Sequence, residues 1–318
     1  SADSPALEAG WIRFLSTFVY ACTDGHPLSS CWRQQRTISS AVRVDGFGYW
    51  SGQDVQVEFR PAPPDSGIVF VRTDAGAARR IPAQVQYRVE VPRRTSLRDG
   101  NARVDMVEHI LAALAGLQID NCEVWADSAE MPGCDGSSLP FVAALDAAGL
   151  TRQPACRRQL VIRRTLRVGD GRCWVEAQPA PRPGLTVECH IDFGTSGPIQ
   201  RQSLALAVTP QTFREELSAA RTFVLEEEAA WMRSQGLGAR VTCRDLLVFG
   251  EHGPIDNPLR FADECVRHKM LDLIGDLTLA GCDLSGHFVA HCSSHRLNAE
   301  LVGRLLAEAA RDCLARTA

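Results

Sequence analysis

The strongest constraint in the sequence is an order that occurs twice: strand-like runs leading into helices, with a breaker-rich stretch between the two halves. Residues 37–44, 55–60 (VQVEFR) and 68–72 alternate or cluster apolar side chains as strands do, with turn residues at 61–67. Residues 106–117 (MVEHILAALAGL) have helical period and propensity, and 122–126 reads as a further strand. The segment 147–158 (AAGLTRQPACRR) combines Gly, Pro and charge in the manner of a linker. Beyond it come strand-like runs at 160–168, 173–178 and 185–191, helices at 210–220 and 262–280, and a strand at 286–292. Sheet then helices, twice, predicts an α+β chain of two related two-layer sheet/helix domains facing each other, 35–150 and 151–318. Residues 1–34 lack strand alternation and read as an N-terminal extension with one short amphipathic helix.

A length of 318 residues allows two such cores. A net charge of −4 gives no electrostatic footprint for a polyanion, so no nucleic-acid partner is expected. No run approaches the roughly 18 apolar residues of a membrane span, and 14–22 (FLSTFVYAC) lacks both the basic flank and the cleavage site of a signal peptide. Twelve cysteines are scattered with no C-x-x-C pair, which reads as small packing residues in a reducing compartment rather than as a zinc ribbon or a disulfide framework. The expectation is a cytoplasmic monomer without stable membrane insertion.

Two segments carry chemistry. In Arg267–Asp276 (RHKMLDLIGD), taking His268 as zero at about 100° per residue puts Asp272 near 40° and Asp276 near 80°, opposite an apolar stripe of Val266, Met270, Leu273 and Leu277. A solvated face with an i,i+4 pair has the same spacing. In MVEHILAALAGL, Glu108 and His109 diverge by about 100° but rise only about 1.5 Å, so one can ligate a metal while the other reaches a water beside it. A charged pair at the edge of a buried helix can equally be structural. Together, His109, His268 and Asp272 make a two-nitrogen, one-oxygen set that leaves a fourth tetrahedral position of Zn²⁺ open. A strand ending in Ser293-Ser294-His295 would place His287, His291 and His295 on one face, and periodicity does not choose among them. His190 and His252 have no motif around them.

These segments are similar to those of the UDP-3-O-acyl-N-acetylglucosamine deacetylases, zinc amidases of lipid A synthesis. The resemblance runs from about Gln35 to Val302 through QRTISSAVRVDGFGYWSG, RPAPPDSGIVFVRTD, VEHILAALAGLQIDN, MPGCDGSSLPFV, ARTF, LRFADECVRHKMLDLIGDL and SSHRLN. It implies an active site between two α+β domains, His109, His268 and Asp272 as metal ligands, and Zn²⁺ as cofactor with Fe²⁺ as the alternative. It further implies Glu108 as general base, His295 as the catalytic histidine, Asp276 as the acid orienting it, and Thr222 beside the carbonyl oxygen. Lys269, Phe223, Phe193 and Arg172 would contact an acylated UDP-amino sugar. An inserted piece at 225–259 would line a passage for the acyl chain.

The sequence departs from the family pattern at Trp50 (a histidine in the family's G-L-H-S-G), at Cys134, at Val224, at Cys173 where a lysine is expected, and at Ser294. Three readings follow: the lipid A pathway deacetylase, a related zinc deacetylase of another N-acetylated sugar or sugar nucleotide, and a non-catalytic binding relative that keeps zinc. The third has no use for Glu108 or for an open metal position.

Overall fold

The computed structural model describes residues 32–74 and 78–317; the amphipathic helix expected within 1–34 lies outside them. The first large sheet contains β1 (Val42–Phe47), β2 (Asp54–Pro61), β3 (Ile68–Arg72), β4 (Arg79–Pro82) and β5 (Cys122–Ala126), in the order β1-β2-β5-β3-β4. Alternation in β2 sends Val55, Val57 and Phe59 inward and polar residues outward, as a sheet with one covered face requires. The second large sheet contains β6 (Gln159–Val161), β7 (Leu166–Asp170), β8 (Cys173–Gln178), β9 (Leu185–Asp192), β10 (Arg201–Val208) and β11 (Asp283–His291). Its order is β7-β8-β11-β9-β10, with β6 also paired to β11. Helices α1 (Glu108–Gly116), α2 (Leu139–Ala148), α3 (Glu226–Ser234), α4 (Glu264–Leu277) and α5 (His295–Thr317) complete the main framework.

The α+β class holds. Helices α4 and α5 pack on the second sheet, and α2 on the first through an edge-to-face contact of Phe141 with Phe59 at 6.3 Å between ring centres. The two layers meet where α1 packs against α4. A Cβ at Gly275 would lie 2.2 Å from the Glu108 carbonyl oxygen, so only glycine lets the helix backbones approach this closely. That approach sets the first turn of α1 beside the middle of α4.

Several sequence expectations are corrected. The linker 147–158 contains a strand, Leu150–Cys156, antiparallel to Gln34–Ile38; pairing satisfies backbone groups that a breaker-rich composition does not reveal. The run 37–44 breaks at Ser39–Ala41, and 160–168 divides into β6 and β7. Helix 106–117 begins only at Glu108, because Met106 sits at φ 58°. Of 210–220, Pro210–Thr212 is α-helical and Phe213–Leu217 is a π turn. Strand β10 and helices α2, α3 and α5 were not read from periodicity. Eight described cysteines are free thiols, but Cys156 and Cys313 are disulfide-bonded, which overturns the reading of all twelve as packing thiols. Scattered spacing carries no pairing signal. Among the described residues no helix is long and apolar enough to cross a membrane.

Candidate active site

Helix α1 delivers Glu108 and His109, and α4 delivers His268, Asp272 and Asp276, all buried. His109 Nε2 lies 3.7 Å and His268 Nε2 3.4 Å from Asp272 Oδ1. Ligand atoms on one tetrahedral ion with bonds of about 2.0–2.1 Å are separated by roughly 3.3 Å, so these spacings fit one small divalent cation. It is the group of at least three His, Cys, Asp or Glu ligand atoms within 4.8 Å of one another found among the described residues. His268 Nδ1 donates to the Ala220 carbonyl at 3.2 Å, leaving Nε2 with a lone pair toward Asp272. Burial lowers His268 to about 4, against the pull of Asp272, so the ring is neutral at neutral pH. Burial alone would raise Asp272, but His268 and Lys269 hold its carboxyl well below the usual range; Lys269 Nζ donates to its other oxygen at 2.8 Å.

Glu108 accepts the Thr95 backbone N–H on Oε2 at 2.9 Å, which leaves Oε1 free, 3.9 Å from His295 Nε2. Desolvation raises the Glu108 carboxyl above its ordinary value. His295 Nδ1 donates to Asp276 Oδ2 at 2.8 Å, and Asn298 Nδ2 donates to the same oxygen at 2.8 Å. Burial would lower His295, but the buried Asp276 outweighs it and lifts the imidazolium to about 9.

Thr222 is fixed by its N–H and hydroxyl, which donate to the Gly136 carbonyl at 2.7 and 3.0 Å; its Oγ1 lies 3.1 Å from His268 Nε2. Arg221, beside it, is buried and anchored by Glu264 at 2.7 Å, holding the Ala220–Thr222 turn against α4. Glu108, His109, Thr222, His268, Lys269, Asp272 and His295 line one cavity of about 570 Å³. Beyond this polar floor the lining is largely apolar, and Tyr49, Trp50, Ala229, Met232, Leu237, Val241, Leu246 and Val248 form the wall of an apolar arm. Helix α3 supplies part of that wall, within the segment expected to be inserted.

Of the expected contact residues, Lys269, Phe223 and Phe193 reach the cavity, with Phe193 edge-on to Phe223 at 5.8 Å. Arg172 does not line it; the residue is exposed in the turn between β7 and β8, where its carbonyl accepts from His291 Nδ1 at 2.7 Å. The sequence expectation that His287, His291 and His295 share a strand face is also corrected. Strand β11 ends at His291, Cys292 turns the chain at φ 46°, and His295 opens α5. His287 instead lies 3.4 Å from Glu188. His190 bonds Glu188 and Ser203, and His252 is exposed. Sequence reasoning missed Thr95 and Asn298. Asn298 lies three residues beyond His295, a helical spacing that could have found it; Thr95 is joined to the site only by tertiary contact.

The departures are placed with equal clarity. Trp50 lines the cavity with the Arg94 guanidinium 4.4 Å over its ring. Val224 also lines it, whereas Cys173 is exposed at the start of β8.

Residues 35–307 match the family model described as LpxC, UDP-3-O-acyl N-acetylglycosamine deacetylase. The chain is 41% identical over 276 residues to the UDP-3-O-acyl-N-acetylglucosamine deacetylase of Myxococcus xanthus, covering 86% of this chain and 87% of that one. It is 38% identical over 278 residues to the enzymes of the same name from Shewanella sp. strain W3-18-1 and Shewanella baltica strain OS155, covering 86% of this chain and 90% of each relative. With its helix-borne His-His-Asp set and a family match across most of its length, the chain belongs to the UDP-3-O-acyl N-acetylglycosamine deacetylase family.

Proposed function

We propose that the protein hydrolyses the N-acetyl amide of UDP-3-O-acyl-N-acetylglucosamine, releasing acetate, as a step of lipid A synthesis. The observation that carries this reading is the convergence of the His-His-Asp set, a desolvated carboxylate and a carboxylate-paired histidine on one cavity floor that opens into an apolar arm. His109, His268 and Asp272 would hold a divalent cation, zinc by donor type with ferrous iron as the alternative, and such a cation supplies Lewis acidity and lowers the pKa of water.

The chain's own groups supply the rest. Glu108, raised by burial and oriented by the Thr95 N–H, takes the proton of the attacking water through Oε1. His295, cationic through Asp276, stabilises the charge that develops on the amide oxygen, joined by the Thr222 hydroxyl when it rotates away from the Gly136 carbonyl. The leaving amine receives its proton from Glu108 or His295, whose facing atoms are 3.9 Å apart. Lys269, Phe223 and Phe193 contact the sugar nucleotide, and the apolar arm takes the acyl chain. Arg172, the fourth expected substrate contact, sits on the exposed turn outside the cavity lining. The reading also has the two sheet/helix layers as domains divided near residue 150, and the protein acting as a cytoplasmic monomer without a nucleic-acid partner.

The test is turnover of UDP-3-O-acyl-GlcNAc against UDP-GlcNAc lacking the acyl chain. Hydrolysis of the acylated substrate is expected; activity confined to the short one would favour the second reading, with Trp50 and Val224 reshaping the arm. Glu108→Gln should retain bound metal and lose on the order of 10²–10⁴ in kcat. Unchanged turnover would remove the base assignment.

A further inference from the structure

One peptide unit, joining Arg94 to Thr95, connects the apolar arm to the two carboxylates that serve the reaction. Its N–H, carried by the fully buried Thr95, donates to Glu108 Oε2 at 2.9 Å. The Thr95 carbonyl accepts the Val107 N–H at 3.3 Å, and its hydroxyl bonds Asp276 Oδ1, so the residue is wedged between α1 and α4. The Arg94 side of the unit belongs to the arm. Trp50 lines the arm, and the Arg94 guanidinium, which does not, lies 4.4 Å over the indole ring. The turn that carries Trp50 is anchored by its own N–H, which donates to Glu130 Oε1 at 2.7 Å. Arg94 is mostly buried, its Nε has no hydrogen-bond partner among the described residues, and Asp105 Oδ1 stands 3.9 Å from it. The indole face is therefore the contact that orients this cation. A second tie from the arm to the same loop, Arg93 Nη2 to Glu228 Oε1 on α3 at 2.8 Å, is exposed and screened and contributes little.

We propose that Trp50 and Arg94 are positioning residues through which an acyl chain lying in the arm orients the carboxylate of Glu108, so that substrates with a chain long enough to reach Trp50 are turned over faster and not merely bound more tightly. The proposal rests on the deacetylation reading and names the substrates that the site favours. A chain packed on the indole restricts the ring, and the ring restricts the guanidinium stacked on it. Because the peptide unit is planar, fixing Arg94 fixes the direction of the Thr95 N–H. That donor holds Oε2 and turns Oε1 toward the cavity. With a short chain the indole lacks this restraint, and the carboxylate samples orientations that do not reach the attacking water. Binding energy from a remote part of the substrate is thereby used at the reacting group, and it appears in kcat as well as in KM.

The experiment measures kcat and KM separately on the metal-loaded, full-length protein with UDP-GlcNAc bearing a 3-O-butanoyl, decanoyl or tetradecanoyl chain. In the unsubstituted protein kcat should rise and KM fall as the chain lengthens. Arg94→Met, which removes the cation but keeps an unbranched side chain, should lose about 10–100-fold in kcat on the tetradecanoyl substrate while KM still falls with length. Trp50→Leu should do the same, whereas Trp50→Phe, which keeps an aromatic face, should retain most of the rise. Combining Trp50→Leu with Arg94→Met should be no slower than the slower single variant, because each breaks the same link. A kcat that does not rise with chain length in the unsubstituted protein, one that still rises in Arg94→Met and Trp50→Leu, or losses that multiply in the combined variant would overturn the proposal. Hydrogen exchange at the Thr95 amide reads the link without turnover: UDP-3-O-tetradecanoyl-glucosamine, the amine product, should slow it in the unsubstituted protein and not in Arg94→Met. Exchange that the ligand leaves unchanged, or slows equally in both, would overturn the link. An unsubstituted protein inactive on the whole series would count against the proposed reaction while leaving the exchange measurement decisive for the link.

Discussion

His268 and His295 are both buried and open onto the same cavity, yet their environments drive them to opposite states: the first is pushed down to about 4 and the second up to about 9. Burial disfavours the cation in each, so the difference lies in the carboxylate that each meets. Asp272 divides its charge among His268, Lys269 and His109, and His268 also spends its Nδ1 proton on a backbone carbonyl. Asp276 faces His295 with, among the described residues, no lysine or second histidine bonded to it; its other hydrogen-bond partners there are the Thr95 hydroxyl and the Asn298 amide, which are neutral. One imidazole therefore keeps a lone pair for a cation, and the other keeps a proton for developing negative charge. A site that must do both needs two carboxylates with different company, and α4 provides them one turn apart.

The comparison can be broken at its metal side with the largest effect. His268→Ala should abolish metal binding and with it turnover, while the protein still folds; elemental analysis of the purified variant checks this, and full metal content would show that the three side chains do not share an ion. On the proton side, Asp276→Asn should reduce kcat by about 10–100-fold, the range for groups that orient a functional histidine. It should also move the basic limb of the pH profile to lower pH, because the group that lifts His295 is gone. A basic limb that stays near pH 9 would assign it to another residue.

The sign for stability follows from the same shift. His295 titrates near 9 in the folded protein against an ordinary 6.5, so its stabilising contribution is complete below about pH 6.5 and is lost as pH rises through about 9. A denaturation series across that window should show the loss in the unsubstituted protein and a smaller one in Asp276→Asn. The smallest effect is expected for Asn298→Ala, which removes one neutral donor from Asp276. About 1 kcal/mol is typical of such a bond, or roughly five-fold in turnover, with the basic limb moving upward because Asp276 becomes a better partner for the imidazolium.

Much of this site was legible before the fold. The α4 stripe of His268, Asp272 and Asp276 follows from helical period alone, and the sheet-then-helix order repeated across the chain yields the two layers. The strand at Leu150–Cys156 was hidden because its pairing partner, Gln34–Ile38, lies far away in sequence, and local composition there argues for a linker. Helix α5 was obscured by the reading of His295 as a strand residue, when a left-handed turn at Cys292 ends the strand first.

Residue types and their spacing along α1 and α4 determined by themselves which side chains share a helix face, because the helix repeat is a local property of the backbone. Strand period left His287, His291 and His295 alike and the resemblance singled out His295; the tertiary structure places it on the cavity wall, and it alone decided that Thr95 and Asn298 serve the site and which imidazole is cationic. Those outcomes depend on burial and on charges brought from distant segments, above all by the close crossing of α1 and α4 that Gly275 permits.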